Sequence, residues 1–431
     1  MAKKPSGSND RDEKLDPVDE SDDAPVEAAD EDVAEQAPAE PPAKPAKKNS
    51  KSSSKPRGAK PSPVAVDVSG PADGGSKTPP EHSKKKLIIM LSAAGVLLIG
   101  AAVAGYVLLG SNAPAGNANT NGSANATADG QLPRRIDGVL DTVEHQNRYP
   151  LAVMIENQSQ ARPQSGLDQA NVVYEALAEG GITRFMAIYT FTRVVDSIGP
   201  VRSARPYYVD WARGYNALYA HAGGSPKGLA RIGSVGLPDL NQFFNSQYFF
   251  RDRSRKVASE HTLYTSSTLL SRALNDKKLP ETGSYDAWTF KADAAASARP
   301  TSQHLTIDFS SFSYKVDYEY DPATNTYARS QAEQPHVMRD GAKIAPKNVV
   351  VIRVKRSLED PKDSHGRLTL DVVGSGSAAY YLDGREYKGT WKKTSAQDGL
   401  ELLDENGDVF KLNAGQTWIE VVPPEQTVTV R

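Results

Sequence analysis

Cysteine is missing from all 431 residues of the chain. Its absence excludes disulfides, thiol nucleophiles, thiolate metal sites and a lipid-modified cysteine anchor. A folded extracytoplasmic region without disulfides must rest on its own core. Aromatic residues are scarce too, and none of Phe, Trp or Tyr occurs between Met1 and Lys86. Pro, Ala, Ser, Lys, Asp and Glu fill that stretch instead. Such a composition buries too little apolar surface to offset its conformational entropy, so residues 1–86 are expected to be a disordered tail. The net charge of −2 conceals a block pattern. Asp10 to Glu40 is acidic, whereas Lys44 to Lys60 and Lys84 to Lys86 are basic. The basic blocks read as a solvated tail beside an anionic inner leaflet, and nucleic acid is not expected as a partner.

Charge is absent from one further segment. Leu87 to Leu109 reads LIIMLSAAGVLLIGAAVAGYVLL. At about 1.5 Å per residue, a helix of this length covers the roughly 30 Å hydrocarbon core of a bilayer. Lys84, Lys85 and Lys86 precede it, and no Lys or Arg follows until Arg134. The positive-inside rule therefore predicts a single-pass span with a cytoplasmic N-terminus and an extracytoplasmic C-terminal region. A cleaved signal peptide would carry its basic residues near residue 1 instead. Residues 110–133, rich in Asn, Ala, Gly, Thr and Ser, read as a flexible linker.

The pattern then changes to alternating strands and helices. Leu151 to Glu156 (LAVMIE) is expected to be a buried strand. Val172 to Leu177 and Ile182 to Phe191 flank Glu179-Gly180-Gly181 as a hairpin. Pro206 starts one predicted helix, and Ser225 caps another that begins at Pro226. Ser266 to Asn275 reads as a third. This predicts an α/β domain over 134–295. From about Ile307 short strands dominate, including Val349 to Val354, Leu368 to Val373 and Trp418 to Val422, so residues 300–431 are expected to form a β-rich unit.

Several long motifs in this region resemble one bacterial family. ARPQSGLDQANVVYEALAEGGITRF (Ala161 to Phe185), IGPVRSARPYY (Ile198 to Tyr208), HAGGSPKG (His221 to Gly228), GTWKK (Gly389 to Lys393) and LNAGQTWIEVVP (Leu412 to Pro423) are similar to the DUF3048, or YerB-like, family in the family's own order. The resemblance covers roughly residues 134 to 425. It implies a two-part extracytoplasmic domain and supplies no activity. Many members resemble lipoproteins. This chain departs from them in lacking the lipid-bearing cysteine, and the apolar helix replaces it as a tether.

Within these motifs, Arg202, Ser203 and Arg205 lie just before a predicted helix start. Backbone N–H groups and the positive end of the helix dipole favour an anion there, and arginine suits carboxylate or phosphate. The competing reading is an Arg–carboxylate network that fixes the loop to the hairpin. Gly223, Gly224 and Ser225 repeat the arrangement before the next helix and form a candidate second wall. Arg184 and Arg251 complete the candidate binding residues.

The register of the hairpin decides what Arg184 meets. A two-residue Gly180-Gly181 turn places it diagonal to Glu175 as a salt-bridge partner, whereas a three-residue loop puts the two on opposite faces. His221 and His261 are candidate bases, with Glu175 or Asp210 as acid or orienting group. The stretch RDRSRKVASEHTLY resembles the family's Arg-Asp…His…Tyr motif, although the residues around His261 depart from its Pro-His-Asn pattern.

No P-loop spacing, HExxH, paired-ligand spacing or Gly-x-Ser-x-Gly elbow occurs, so neither a metal nor a cofactor is expected. Asp404 to Asp408 reads as a hairpin turn rather than a calcium loop. Trp391 and Trp418 read as core. Three functions remain in play: a module binding an anionic cell-envelope component, a hydrolase or transferase acting on such a polymer, and an assembly scaffold using the long tail.

Overall fold

The computed structural model describes residues 130–431; the tail, the expected span Leu87–Leu109 and the linker up to residue 129 lie outside them. Among the described residues no helix is long and apolar enough to cross a membrane. These residues are β-rich and carry three α-helices. Just ahead of Arg134, Leu132–Pro133 pairs with Leu140–Asp141.

In chain order the first strands are β1 (Leu151–Glu156), β2 (Val172–Leu177), β3 (Thr183–Tyr189), β4 (Leu218–His221) and β5 (Asp239–Asn241). Next come β6 (His304–Asp308), β7 (Lys315–Asp321), β8 (Thr326–Gln331) and β9 (Gln334–Pro335). The last are β10 (Asn348–Arg353), β11 (Gly374–Leu382), β12 (Arg385–Lys393), β13 (Glu401–Asp404), β14 (Thr417–Val422) and β15 (Val428–Val430). A central ten-stranded sheet has the order β13-β12-β11-β10-β14-β2-β3-β1-β4-β5, and a five-stranded sheet has the order β9-β8-β7-β6-β15. Early and late segments of the described chain meet in the central sheet. Strand β14 lies parallel to β2, with Thr417 to Val421 opposite Val172 to Ala176.

Every residue of β1, β2, β3 and β14 is buried, which is why these segments read as continuous apolar runs rather than alternating ones. One face, with Met154, Tyr174, Met186 and Ile419, packs on helices α1 (Pro206–Gly214) and α2 (Pro226–Val235). The opposite face, with Val153, Val173, Phe185 and Trp418, packs on Leu270 and Ala273 of α3 (Ser267–Asp276). Further along the same face, Val349, Val351 and Val422 meet Leu305, Val316 and Tyr318 of the second sheet. In β7 only alternate residues (Val316, Tyr318, Tyr320) turn inward, the signature of a sheet with one solvated face.

Trp391 and Trp418 are both core residues. At the Asp404–Asp408 turn, Asp404 Oδ1 accepts the N–H groups of Asn406 and Asp408, closing a hairpin as its sequence suggested.

Candidate functional site

Seven strands of the central sheet (β1, β2, β4, β5, β10, β12 and β14) run in one direction, and β3, β11 and β13 oppose them. In open sheets of this kind, ligands bind outside the carboxyl ends of the strands, where the loops lead into helix N-termini. The motif residues gather at that edge. Ile198 to Ala204 crosses the end of β1: Glu156 N–H donates to Pro200 O at 2.9 Å, and Arg202 N–H to Met154 O at 3.0 Å.

The segment then runs beside the glycine turn that follows β4. Ala222 N–H donates to Arg202 O at 3.1 Å, Ala204 N–H to Gly223 O at 3.0 Å, and Ser225 N–H to Ala204 O at 3.3 Å. A Cβ on Gly224 would stand 3.1 Å from that of Ala204, so the close approach depends on glycine. The starts of α1 and α2 are thereby placed side by side. Pro occupies the first turn of each, and Ser225 Oγ accepts Gly228 N–H at 3.1 Å as the α2 cap.

Three arginines and two carboxylates converge here. Arg205 grips Glu179 with two bonds, Nε to Oε2 at 2.8 Å and Nη2 to Oε1 at 2.5 Å. Arg184 Nη2 reaches the same Oε1 at 2.8 Å and its Nη1 donates to Ser203 O at 3.0 Å. Burial alone would raise the Glu179 carboxyl, but the charges of Arg184 and Arg205 hold it well below the usual carboxylate range. Arg202 Nε lies 3.0 Å from Glu156 Oε1. His261 Nδ1 lies 2.8 Å from Glu156 Oε2. Arg184 and Arg205 thus share Glu179, while Arg202 and His261 share Glu156.

Arg184, Arg202, Ser203, Arg205, Gly223, Gly224 and Ser225 are thus brought to one edge. The salt bridge expected between Arg184 and Glu175 does not form. Leu177 pairs with Thr183 and Ala176 with Arg184, while Ala178 N–H bonds Ile182 O at 2.8 Å. The connection is therefore a three-residue loop, Glu179 to Gly181, and the two side chains point to opposite faces. Glu175 lies beneath the second sheet, 2.5 Å from Arg329 Nη2.

His221 and His261 do not converge on one carboxylate. His221 is wholly buried and stacked on Tyr219; its Nδ1 meets Gly223 O at 2.6 Å and its Nε2 meets Asp239 Oδ1 at 2.8 Å. With both nitrogens against acceptors, His221 anchors the glycine turn and has no site left for a substrate proton. Asp210 accepts Arg231 Nε at 2.7 Å, tying α1 to α2. Arg251 donates to Ser259 O and, at 3.4 Å, to Thr262 Oγ1, bracing the loop that carries His261.

Sequence reasoning passed over Glu156 and the carboxylate of Glu179. A signal for Glu156 was visible: it is the one charged residue that ends the otherwise apolar run LAVMIE. Among the described residues no group of three or more His, Asp and Glu side chains is placed to hold a metal ion.

A β-rich unit with a polar carboxyl edge and this motif order defines a known class. Residues 138–280 match the N-terminal domain, and residues 305–419 the C-terminal domain, of the family described as "Protein of unknown function (DUF3048)". The chain belongs to the DUF3048 family. It is 30% identical over 297 residues to "Putative lipoprotein YerB" of Bacillus subtilis (strain 168), a match that covers 68% of this chain and 87% of that protein. The crystal structure of the YerB protein from Bacillus subtilis superposes with a TM-score of 0.62 at 27% identity, over 70% of this chain and 99% of that one.

Proposed function

We propose that this chain is a membrane-held extracytoplasmic protein that binds an anionic group of a cell-envelope polymer at the carboxyl edge of its central sheet. The lipoprotein name of its relative and the apolar run Leu87–Leu109 support a tethered domain outside the membrane, with the N-terminus in the cytoplasm. In this reading the α/β segment 134–295 supplies the edge and the β-rich segment 300–431 buttresses it. The observation that carries the proposal is the gathering of three guanidinium groups, those of Arg184, Arg202 and Arg205, beside two adjacent helix starts. Backbone N–H groups and arginine forks at such a place favour carboxylate or phosphate. The test is affinity of the fragment Gly130–Arg431 for isolated peptidoglycan fragments and teichoic-acid-like polymers. Arg202→Ala is expected to weaken binding by about tenfold or more; an unchanged affinity in a variant that melts like the wild type rejects the site.

A second reading has its own observation. The buried Glu156 holds His261 by Nδ1, and His261 Nε2 has no hydrogen-bond partner among the described residues. A carboxylate-oriented imidazole can act as general base in a hydrolase or transferase. Glu156 then takes the orienting role that the sequence offered to Glu175 or Asp210. Under that reading the chain releases product from an envelope polymer, and His261→Gln lowers turnover by about a hundredfold or more while leaving binding intact. Equal turnover in the two proteins, or none in the wild type, rules out catalysis.

A further inference from the structure

The Glu179–Gly181 turn has a second side. There, where the central sheet meets the five-stranded sheet, a cleft of about 410 Å³ opens. Its size lies in the range of roughly 300–1,000 Å³ typical of small-molecule sites, which favour such seams. Leu177 at the end of β2 and Phe309 just after β6, both buried, underlie its floor, and the half-buried Leu368 is its apolar wall. A two-stranded hairpin, Arg356–Leu358 paired with Leu368–Leu370, flanks it with Arg356 and Leu368. Beyond the cleft the same hairpin reaches the start of α2, where Lys227 Nζ donates to Glu359 O at 2.8 Å. It therefore links the cleft to the edge cluster.

The polar groups around the cleft carry the argument. Gly180 and Gly181 both line it, and both adopt positive φ, +61° and +74°. Their N–H groups make no backbone hydrogen bond among the described residues, and a Cβ on Gly180 would meet nothing within 4 Å. The Arg356 guanidinium is about one-third exposed, and its ion pair with the mostly exposed Glu425 is loose, at 3.8 Å. Such a solvent-exposed pair contributes little, so a better-fitting anion can displace it. Against this cation stands Asp308, exposed in the lining on the other sheet. A bare anion gains from Arg356 and loses to Asp308. A molecule with hydroxyl donors beside its anionic group satisfies both.

We propose that the cleft seats a sugar unit bearing one carboxylate or phosphate. Arg356 and the turn N–H groups take the anion, Asp308 accepts from ring hydroxyls, and Leu368 lies against the apolar ring face. The inference rests on the envelope-binding reading and names the unit that is read beside the edge.

The experiment uses the full-length chain in detergent with four probes: glucuronic acid, glucose 6-phosphate, glucose and acetate. Calorimetry or saturation-transfer NMR should show binding of one or both anionic sugars, and weaker or no binding of glucose and acetate. The responses to glucuronic acid and glucose 6-phosphate separate a carboxylated source from a phosphorylated one. Arg356→Ala is expected to weaken sugar binding about tenfold or more, Arg356→Lys to restore part of it, and Leu368→Trp to block the cleft. Failure of both anionic sugars to bind the wild type, or binding that ignores Arg356→Ala and Leu368→Trp, overturns the cleft assignment. If polymer binding is still lost in Arg202→Ala, the edge reading stands while the cleft falls. If polymer binding survives Arg202→Ala but sugar binding requires Arg356, the edge falls and the cleft stands.

Discussion

Glu175 and Glu420 are register partners on the parallel strands β2 and β14, and both are fully buried. Glu175 accepts from Arg329, from Thr183 Oγ1 at 2.6 Å and from Asn157 Nδ2 at 3.2 Å. Glu420 accepts from the Tyr318 hydroxyl. A single guanidinium thus serves two carboxylates. Burial first, and then the charge of Glu175, push Glu420 well above the usual carboxylate range, so the fold holds it as the neutral acid. In the unfolded chain the same group releases its proton near the ordinary value of 4.5. The folded state then binds the extra proton, and stability falls as pH rises above that value toward the folded one. Glu420→Gln keeps a neutral group of the same shape. It should be more stable than the wild type at pH 8, by about 1 kcal/mol or more, and should flatten the fall between pH 5 and pH 8. Urea unfolding at the two pH values measures this, and identical pH dependence in both proteins would falsify the neutral acid. Glu179 works in the opposite sense. Arg184 and Arg205 lower it, so the stability it contributes is lost as pH drops below 4.5 toward its folded value.

Among the elements, α2 depends most visibly on a local signal. Ser225 caps it through Gly228 N–H, and its start abuts Ala204 just before α1. Ser225→Ala should destabilise the protein by about 1 kcal/mol and speed amide exchange in the first turn of α2. Thermal unfolding and hydrogen exchange check it; unchanged exchange at Lys227 to Leu229 would show that the cap is dispensable. This helix, and α1 behind Pro206, were legible because caps and N-terminal prolines are written within a few adjacent residues. Strands β1 and β2 were legible to the residue from their apolar runs. The hairpin between β2 and β3 was legible as a hairpin but not in register. Glycines serve two-residue and three-residue loops alike, and one residue of slip decides whether Arg184 meets Glu175 or Glu179. The edge cluster was therefore visible in its cations and hidden in its anions.

At the scale of the whole molecule, the two sheets are joined by a buried ion pair. Arg329 of β8 and Glu175 of β2 are both inaccessible to solvent, 2.5 Å apart, and Arg329 also lies over the Trp418 ring at 4.7 Å. Burial and the Arg329 charge push His336 well below its ordinary value. As a neutral ring it accepts from Arg329 at Nδ1 and donates to Gln164 Oε1 at 3.1 Å from Nε2. Arg329→Met strands the Glu175 charge beneath the second sheet and should destabilise by about 3–5 kcal/mol, most of it recovered in the double variant with Glu175→Met. Denaturant unfolding of the single and double variants measures the coupling. A single variant within about 1 kcal/mol of wild type would contradict it. This pairing had no sequence signature, nor did the insertion of β14 between β10 and β2. Both join residues some 150 or more positions apart, and local periodicity records only which side of a strand is buried, not which strand lies beside it.

The proposed function places an anionic envelope polymer at the carboxyl edge of the ten-stranded sheet, held by Arg202 and its neighbours. Its most direct test is a calorimetric titration of Gly130–Arg431 with isolated teichoic-acid-like polymer from about 50 to about 200 mM salt. Affinity is expected to fall steadily with salt and to drop about tenfold or more in Arg202→Ala. Affinity indifferent to both the salt and the substitution would contradict it.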